Sequence, residues 1–386
     1  MAADDTSSTK GRWERALGVV DSWGETARYQ DLPHYSSRDS TKSSSSGSSS
    51  GSSAAADSYL LPDDEREPER LDFWGHTFVQ TLDGALYAAP LVQNDLELVL
   101  DIGTGTGIWA LDFADTHPDA QVLAFDIKHV QPSWYYQFLD LLVKQPIPHS
   151  PSFPTLSVSL FSVVKKRNRK AAGNEFLMVP LAAYYRTSPN CKFMVADAEE
   201  EWPFEKNAFD FVHARYLYPA ITDWAQLWRQ SFDHLRPGGW VEHQEDSAMF
   251  WSDDPGFEGS RTKHFASQIE FASKKIGKNF RIAAEQKDRM QEAGFQNVVQ
   301  KLCKIPIGTW DETQLDLGKR MLLVVLEGIA PTAVPVFTRV LGYDNDEIEA
   351  LLDEVRAEFL RQEYRVYLKF YYTYGQKPPE SDSEQE

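Results

Sequence analysis

The run LVLDIGTGTGIW, from Leu98 to Trp109, constrains the fold more than any other stretch of the chain. An apolar segment, three glycines at alternate positions and a second apolar run spell strand, tight turn and helix. A turn this sharp, kept clear of side chains, presents backbone N–H groups to a ligand at the start of the helix. The units that follow repeat the theme. QVLAFDI, KFMVADA, FDFVHA and GGWVEHQE read as strands, while GIWALDFADTHP, closed by Pro118, and ITDWAQLWRQSFDHL read as helices. This alternation predicts an α/β fold, a doubly wound, seven-stranded, mostly parallel Rossmann-like sheet with its ligand at the carboxyl ends of the strands.

Beyond Asp254 the chain becomes more helical, with apolar faces in RTKHFASQIEFASKKI, AEQKDRMQEAG and DNDEIEALLDEVRAEFLRQ. FQNVVQKLCKIPI and RVYLKFYYTY are the late strands that complete one sheet edge, so residues 259–370 read as a helical lid or substrate region with late strands. Upstream, EPERLDFWGHTFVQTLDGALYAAPL places Phe73, Phe78, Leu82 and Tyr87 at helical intervals. Residues 1–65, with SSSSGSSSGSS at Ser43–Ser53, bury almost nothing and are expected to form a disordered tail. Residues 66–386 form the domain.

Composition sets the outer limits. With 386 residues and 42% hydrophobic content the chain can build a large core, and its formal charge of -19 argues against a generally basic surface for direct nucleic-acid binding. Two cysteines, Cys191 and Cys303, with no Cys/His cluster, encode neither a disulfide framework nor a metal site. The N-terminal MAADDTSSTKGRWERALG lacks a leader pattern, so a cytoplasmic or nuclear location is expected. The run Met321–Phe337 is interrupted by Glu327, Pro331 and Pro335, and no membrane span is expected.

The glycine turn alone leaves the cofactor open. No Lys-Ser/Thr pair follows it, which removes a phosphate-binding P-loop. Asp101, two residues ahead of Gly103, would repel the pyrophosphate of NAD, whereas it suits the ammonium and sulfonium charges of S-adenosyl-L-methionine. Asp126, ending the second strand, is placed to accept hydrogen bonds from ribose hydroxyls, a feature that NAD sites share. Methyl transfer from a sulfonium needs positioning and water exclusion more than a protein nucleophile. Where the acceptor needs a base, His213, His243, Glu242 and Glu245 fall near strand ends, although His213 also fits a satisfied core histidine. Tyr216, Tyr218 and Trp224 are candidates for walls of an acceptor pocket.

Together VLDIGTGTGIWALDFADTHPDAQVLAFDI, IKHVQPSW, PNCKFMVADAEEEWPF, FDFVHARYL, ITDW, LRPGGWVEHQE, ERLDFWGHTFVQTLDGALYAAPL and YYTYGQKP resemble the class I S-adenosylmethionine-dependent methyltransferases of the fungal LaeA-like family, which is linked to secondary metabolism. The resemblance covers about Glu67 to Pro378 apart from one insertion. It implies that Asp101, Gly103, Thr104, Gly105 and Gly107 line the methionine end, that Asp126 holds the ribose with Ile127 beside the adenine, that Asp197 and Ala198 meet the adenine, and that Ala214 and Arg215 lie near the donor carbon. Asp197 also fits a helix N-cap ahead of AEEEW. The resemblance further implies either methyl transfer to an unidentified small-molecule or protein acceptor, or a regulatory role with velvet-type partner proteins.

Residues 135–186 stand apart. The segment adds about fifty mixed apolar, proline-rich and basic residues where one ordinary connection is expected, and its seven basic against two acidic side chains contrast with the acidic remainder. It reads as a translated intron, since its removal keeps the family pattern and shortens the Asp126–Asp197 spacing from 71 to 19. The alternative is a surface insertion whose KKRNRK, Lys165–Lys170, forms a nuclear-import or partner patch.

Overall fold

The computed structural model describes residues 67–92, 96–128, 161–166, 175–180 and 188–380. The serine-rich tail and most of the 135–186 segment lie outside the described residues.

An eight-stranded mixed sheet organises the chain in the order β5–β2–β1–β6–β7–β10, with β9 along the outer side of β10. The strands are β1 (Leu98–Ile102), β2 (Gln121–Asp126), β5 (Cys191–Val195), β6 (Phe209–Arg215), β7 (Leu235–Asp246), β9 (Gln296–Pro306) and β10 (Val366–Gln376). A two-residue β8 (Trp251–Ser252) also pairs with β10 and makes the eighth strand beyond the expected seven. β5, β2, β1, β6 and β7 run parallel, and β10 pairs antiparallel with both β7 and β9.

All five positions of β1 are buried, as expected for a central strand covered on both faces. The pleat divides its side chains: Leu98, Leu100 and Ile102 enter one core with Leu123 and Phe125 of β2, while Val99 enters a second with Val122, Ala124 and Phe211. That second core also holds Trp109 and Phe113 from α2 (Ile108–Thr116). The larger core receives α3 (Trp224–His234), α4 (Arg261–Lys275), α6 (Leu315–Val336) and α7 (Asn345–Arg361). α5 (Gln286–Glu292) is shorter than its periodic run because a 3-10 turn, Ile282–Glu285, precedes it.

Two sequence expectations change. α1 (Glu67–Thr81) stops before Leu82 and Tyr87, which lie in the following turn and extended segment. α6 runs on through Pro331 and Pro335, which interrupt the apolar run in the sequence but not the helix, and passes into a π-turn at Phe337–Leu341. The uninterrupted helix is long and apolar enough to cross a bilayer by length and composition. Its Met321, Val325, Ile329, Ala333 and Val336 stripe instead packs in the larger core.

Within the 135–186 segment, β3 (Phe161–Lys166) and β4 (Glu175–Pro180) pair antiparallel as a separate two-stranded sheet. They add no strand to the main sheet. β5 pairs directly with β2, from Val122↔Cys191 to Asp126↔Val195.

Candidate functional site

The five parallel strands end on one edge, and the glycine turn is pinned there from two sides. The Thr104 N–H donates to the Phe125 carbonyl (3.0 Å), and the Gly105 N–H donates to Asp126 Oδ2 (2.9 Å). Asp126 also accepts from the Lys128 N–H (3.0 Å), while burial pushes its carboxyl pKa up despite these donors. Gly103, Gly105 and Gly107 have φ of +60°, +57° and +81°, all in the left-handed region. A Cβ on Gly103 would stand 2.4 Å from Leu217 Cδ2, and one on Gly107 would stand 2.6 Å from the Phe193 ring. A Cβ on Gly105 would meet only Leu71 Cδ1, at 3.7 Å. Gly103 and Gly107 are thus glycine for packing as well as for backbone conformation, and Gly105 for conformation alone. α2 begins at Gly107 without a side-chain cap, which leaves its first turn open to a ligand.

Asp101 is buried beneath this turn. It accepts from the Thr104 hydroxyl at Oδ2 (2.6 Å) and lies 2.7 Å from His213 Nδ1 at Oδ1. The His213 ring stacks on Trp109 with centroids 3.6 Å apart, and burial drives its pKa down to about 4 against the pull of Asp101. A neutral imidazole donating from Nδ1 satisfies this geometry. The His213–Asp101 pair therefore fixes the base of the glycine turn.

The other three sequence candidates for proton transfer are also buried away from the turn. Glu242 accepts from the N–H groups of Ala88 (2.8 Å) and Ala89 (2.6 Å) and from Gln244 Nε2 (2.8 Å), while burial raises its pKa to about 7. His243 sits between Trp224 and Trp228, with centroids at 5.1 and 5.5 Å, and burial lowers its pKa to about 3. Its Nε2 lies 3.3 Å from Glu245 Oε2, outside hydrogen-bond geometry. Glu245 accepts from the N–H groups of Leu217 (2.7 Å) and Tyr218 (2.9 Å), and burial raises it to about 8.

At the adjoining strand ends, the Ala196 N–H donates to the Asp126 carbonyl (3.0 Å), which brings Asp197 and Ala198 to the same edge. Asp197 Oδ1 accepts from the Glu199 N–H (2.9 Å), and the Ala198 carbonyl accepts from Trp202 Nε1 (3.1 Å). Ile127 is 45% exposed, an apolar surface beside Asp126. Ala214 is buried at the end of β6. The Arg215 guanidinium reaches beneath α1, with Nη2 2.9 Å from where a Gly75 Cβ would lie and its carbon 5.9 Å from the Phe78 ring centroid. Burial lowers its pKa, while Asp101 and Asp72 oppose that shift.

α1 supplies what the sequence reading missed. Asp72 accepts from the Thr106 hydroxyl, Leu71 reaches the Gly105 side of the turn, and Trp74 stacks on Tyr216 at 5.6 Å. The spacing of Leu71, Trp74 and Phe78 on one helical face was the available signal, but periodicity does not say what a face covers. Beside these residues lies a cavity of about 110 Å³, lined in part by Leu71, Trp74, Tyr216, Tyr218, Phe280 and Gly328. Trp224 does not reach it, and neither do His213, His243 and Glu242.

Comparison with known proteins agrees with this architecture. A family model described as "Methyltransferase domain" matches residues 73–300. "Methyltransferase pytC" of Aspergillus terreus is 32% identical over 330 residues, covering 84% of each chain. "Secondary metabolism regulator laeA" of Aspergillus flavus is 27% identical over 83% of this chain and 73% of its own length. "Protein-methionine methyltransferase laeA" of Emericella nidulans is 26% identical over 83% of this chain and 72% of its own length. With an Asp-supported glycine turn at the mouth of a parallel sheet and a family match over most of that sheet, the chain belongs to the methyltransferase domain family.

Proposed function

We propose that the chain transfers a methyl group from S-adenosyl-L-methionine to an acceptor held between the glycine turn and the helical region. The observation that carries the reading is the convergence at one strand edge of an open glycine turn, the Asp126 carboxylate and the half-buried Arg215 cation. Among the described residues no carboxylate makes an ion pair with Arg215, so the guanidinium is suited to the carboxylate of an amino-acid ligand. Gly105 and the open first turn of α2 suit the methionine end, Asp126 the ribose hydroxyls, and Ile127, Asp197 and Ala198 the adenine. The donor supplies a methyl group already activated on a sulfonium sulfur.

The chain's own contribution is placement. Asp101, held by His213 and Thr104, fixes the turn, and α1 closes over it through Asp72 and Trp74. Such ordering can supply much of the rate of an in-line displacement, by up to about 7–11 kcal/mol for well-oriented reactants. Calorimetric titration of the full chain with S-adenosylhomocysteine tests the reading. Saturable binding that weakens in Asp126→Ala is expected. No binding by a folded chain, or binding of NADH that survives Asp101→Ala, would overturn it.

A further inference from the structure

The cavity beside the glycine turn carries information about the acceptor. Its wall joins α1, the end of β6, α4 and α6 through Leu71, Trp74, Tyr216, Phe265, Val324 and Gly328. Leu71 and Tyr216 connect it to the donor side, since Leu71 faces Gly105 and Tyr216 directly follows Arg215. Among the described lining residues, the only polar side-chain groups are the hydroxyls of Tyr216, Tyr218 and Thr332 and the Trp74 indole N–H. None of these described residues brings a carboxylate, imidazole, amine or guanidinium. The two tyrosine hydroxyls stand 3.4 Å apart.

Val324, Gly328 and Thr332 follow one another at four-residue intervals along α6 and form the far wall. Glycine inside a helix costs about 1 kcal/mol relative to alanine. At Gly328 an added Cβ would meet nothing within 4 Å, so no packing contact requires the glycine. It leaves space open on this face. A cavity of about 110 Å³ is somewhat smaller than the roughly 150 Å³ apolar cavities that accept benzene, and so takes one ring edge or a branched alkyl group.

We propose that the acceptor is a small, largely apolar molecule that seats one ring edge or a branched alkyl group in this cavity and presents an acidic enolic or phenolic oxygen to the Tyr216–Tyr218 hydroxyl pair. The proposal rests on the donor-site reading above and names the acceptor class for the same site. Because the described wall residues include no base, the acceptor's O–H proton passes to bulk buffer and the oxygen arrives as its anion. An O–CH3 bond then forms from an oxygen lone pair, and the C–S bonding pair goes to sulfur, which becomes a neutral thioether. An oxyanion entering an apolar cavity needs donors. The Tyr216–Tyr218 pair, whose hydroxyls are hydrogen-bonded to each other, offers an O–H through Tyr216, and burial, with Tyr218 and Asp246 beside it, keeps that hydroxyl protonated by raising its pKa well above 10. The two carboxyls behind, Glu245 and Asp246, accept from backbone N–H groups of Leu217, Tyr218 and Ala248 and hold the strand end in shape.

The test uses the full chain saturated with S-adenosylhomocysteine and three probes: nitrobenzene, 4-nitrophenol above neutral pH, and a short peptide containing methionine. Both ring compounds are expected to bind, and 4-nitrophenol is expected to bind as its coloured phenolate. Gly328→Leu should weaken both by about tenfold or more while leaving S-adenosylhomocysteine affinity within about twofold. The Tyr216→Phe, Tyr218→Phe double variant should weaken phenolate binding by about tenfold and leave nitrobenzene unchanged. With S-adenosyl-L-methionine, 4-nitroanisole should form in the unaltered chain. Failure of either ring compound to bind the loaded chain, indifference of both to Gly328→Leu, or methylation of the peptide at a rate that ignores Gly328→Leu would overturn the proposal. Failure of S-adenosylhomocysteine itself to bind would instead strike the donor-site reading.

Discussion

Replacing the three turn glycines one at a time with alanine separates backbone conformation, packing and ligand approach. All three have positive φ, which costs an L residue about 1–2 kcal/mol. At Gly105 that is nearly the whole cost, because the nearest atom to the new methyl group is Leu71 Cδ1 at 3.7 Å. At Gly103 the methyl group would stand 2.4 Å from Leu217 Cδ2 in the core, and at Gly107 it would stand 2.6 and 2.7 Å from two Phe193 ring atoms. Relieving such overlap adds about 1–3 kcal/mol, so both variants should lose about 2–5 kcal/mol. Gly342→Ala, with φ +79° and nothing within 4 Å, is the control for conformation alone. Urea unfolding of each full-length variant supplies the stabilities, and titration with S-adenosylhomocysteine supplies the affinities. Gly105→Ala should match Gly342→Ala in stability yet bind at least about tenfold more weakly. Equal stability losses at all three turn glycines would refute the packing argument. Unchanged affinity in Gly105→Ala would refute the ligand approach.

Four buried groups predict the shape of stability against pH. Glu242 and Glu245, raised to about 7 and 8, hold protons that the unfolded chain releases near 4.5, so their contribution is full below 4.5 and lost as pH rises through those values. His213 and His243, lowered to about 4 and 3, contribute fully above 6.5 and lose that contribution as pH falls through those values. The two pairs oppose each other between 4.5 and 6.5, while the raised carboxyl of Asp246 adds to the loss with rising pH. Urea midpoints should therefore fall from pH 6.5 to 8, with about 3 kcal/mol of the loss from Glu242 and Glu245. Glu245→Gln should flatten the alkaline limb. Glu358 of α7 accepts from the Arg261 and Thr262 N–H groups and the Thr262 hydroxyl at the start of α4, so Glu358→Ala should cost about 2–3 kcal/mol and increase hydrogen exchange in α4. Deleting residues 135–186 leaves seven residues between Lys128 and Ser188, which span about 25 Å when extended and can cross the roughly 20 Å length of β2. That deletion should leave the melting temperature and S-adenosylhomocysteine affinity close to those of the intact chain, and loss of folding would show that the segment belongs to the domain.

The sheet was legible because its signals are local. LVLDI, QVLAFDI and FDFVHA are short buried runs bounded by turns, and the glycine spacing after LVLDI marks the turn directly. The two prolines in α6 misled because a local breaker signal competes with tertiary burial, and here the buried stripe of the helix prevails. The acids were harder to read. Glu242, Glu245, Asp101 and Asp126 all carry the same local signal, an acid near a strand end, yet only Asp126 lies at the turn with bonds to both Gly105 and Lys128. Which backbone N–H each carboxylate meets depends on segments distant in sequence, such as Ala88 and Ala89 for Glu242. Of the cavity only Tyr216 and Tyr218 were legible, for the same reason, since the rest of its wall joins residues of α1 to residues of α6.

The end of β6 shows how these long-range contacts shape the site. Arg215 completes the strand, and Tyr216 keeps one more ladder bond to the Gln244 carbonyl before its backbone turns to φ +58°. A bulky residue in that region stores about 1–3 kcal/mol and persists only when its surroundings hold it. The N–H groups of Leu217 and Tyr218, which leave the ladder at this turn, are taken up by the Glu245 carboxylate. The turn separates consecutive side chains: Arg215 reaches beneath α1 towards the glycine turn, while Tyr216 lines the cavity. Glu245 thus holds in shape the backbone at which the donor side meets the acceptor side. Methyl transfer as proposed above consequently depends on how firmly this strained strand end is held. Substitutions at Glu245 should then act through the turn geometry of Tyr216, raising backbone exchange at Leu217 and Tyr218 together with any loss of rate.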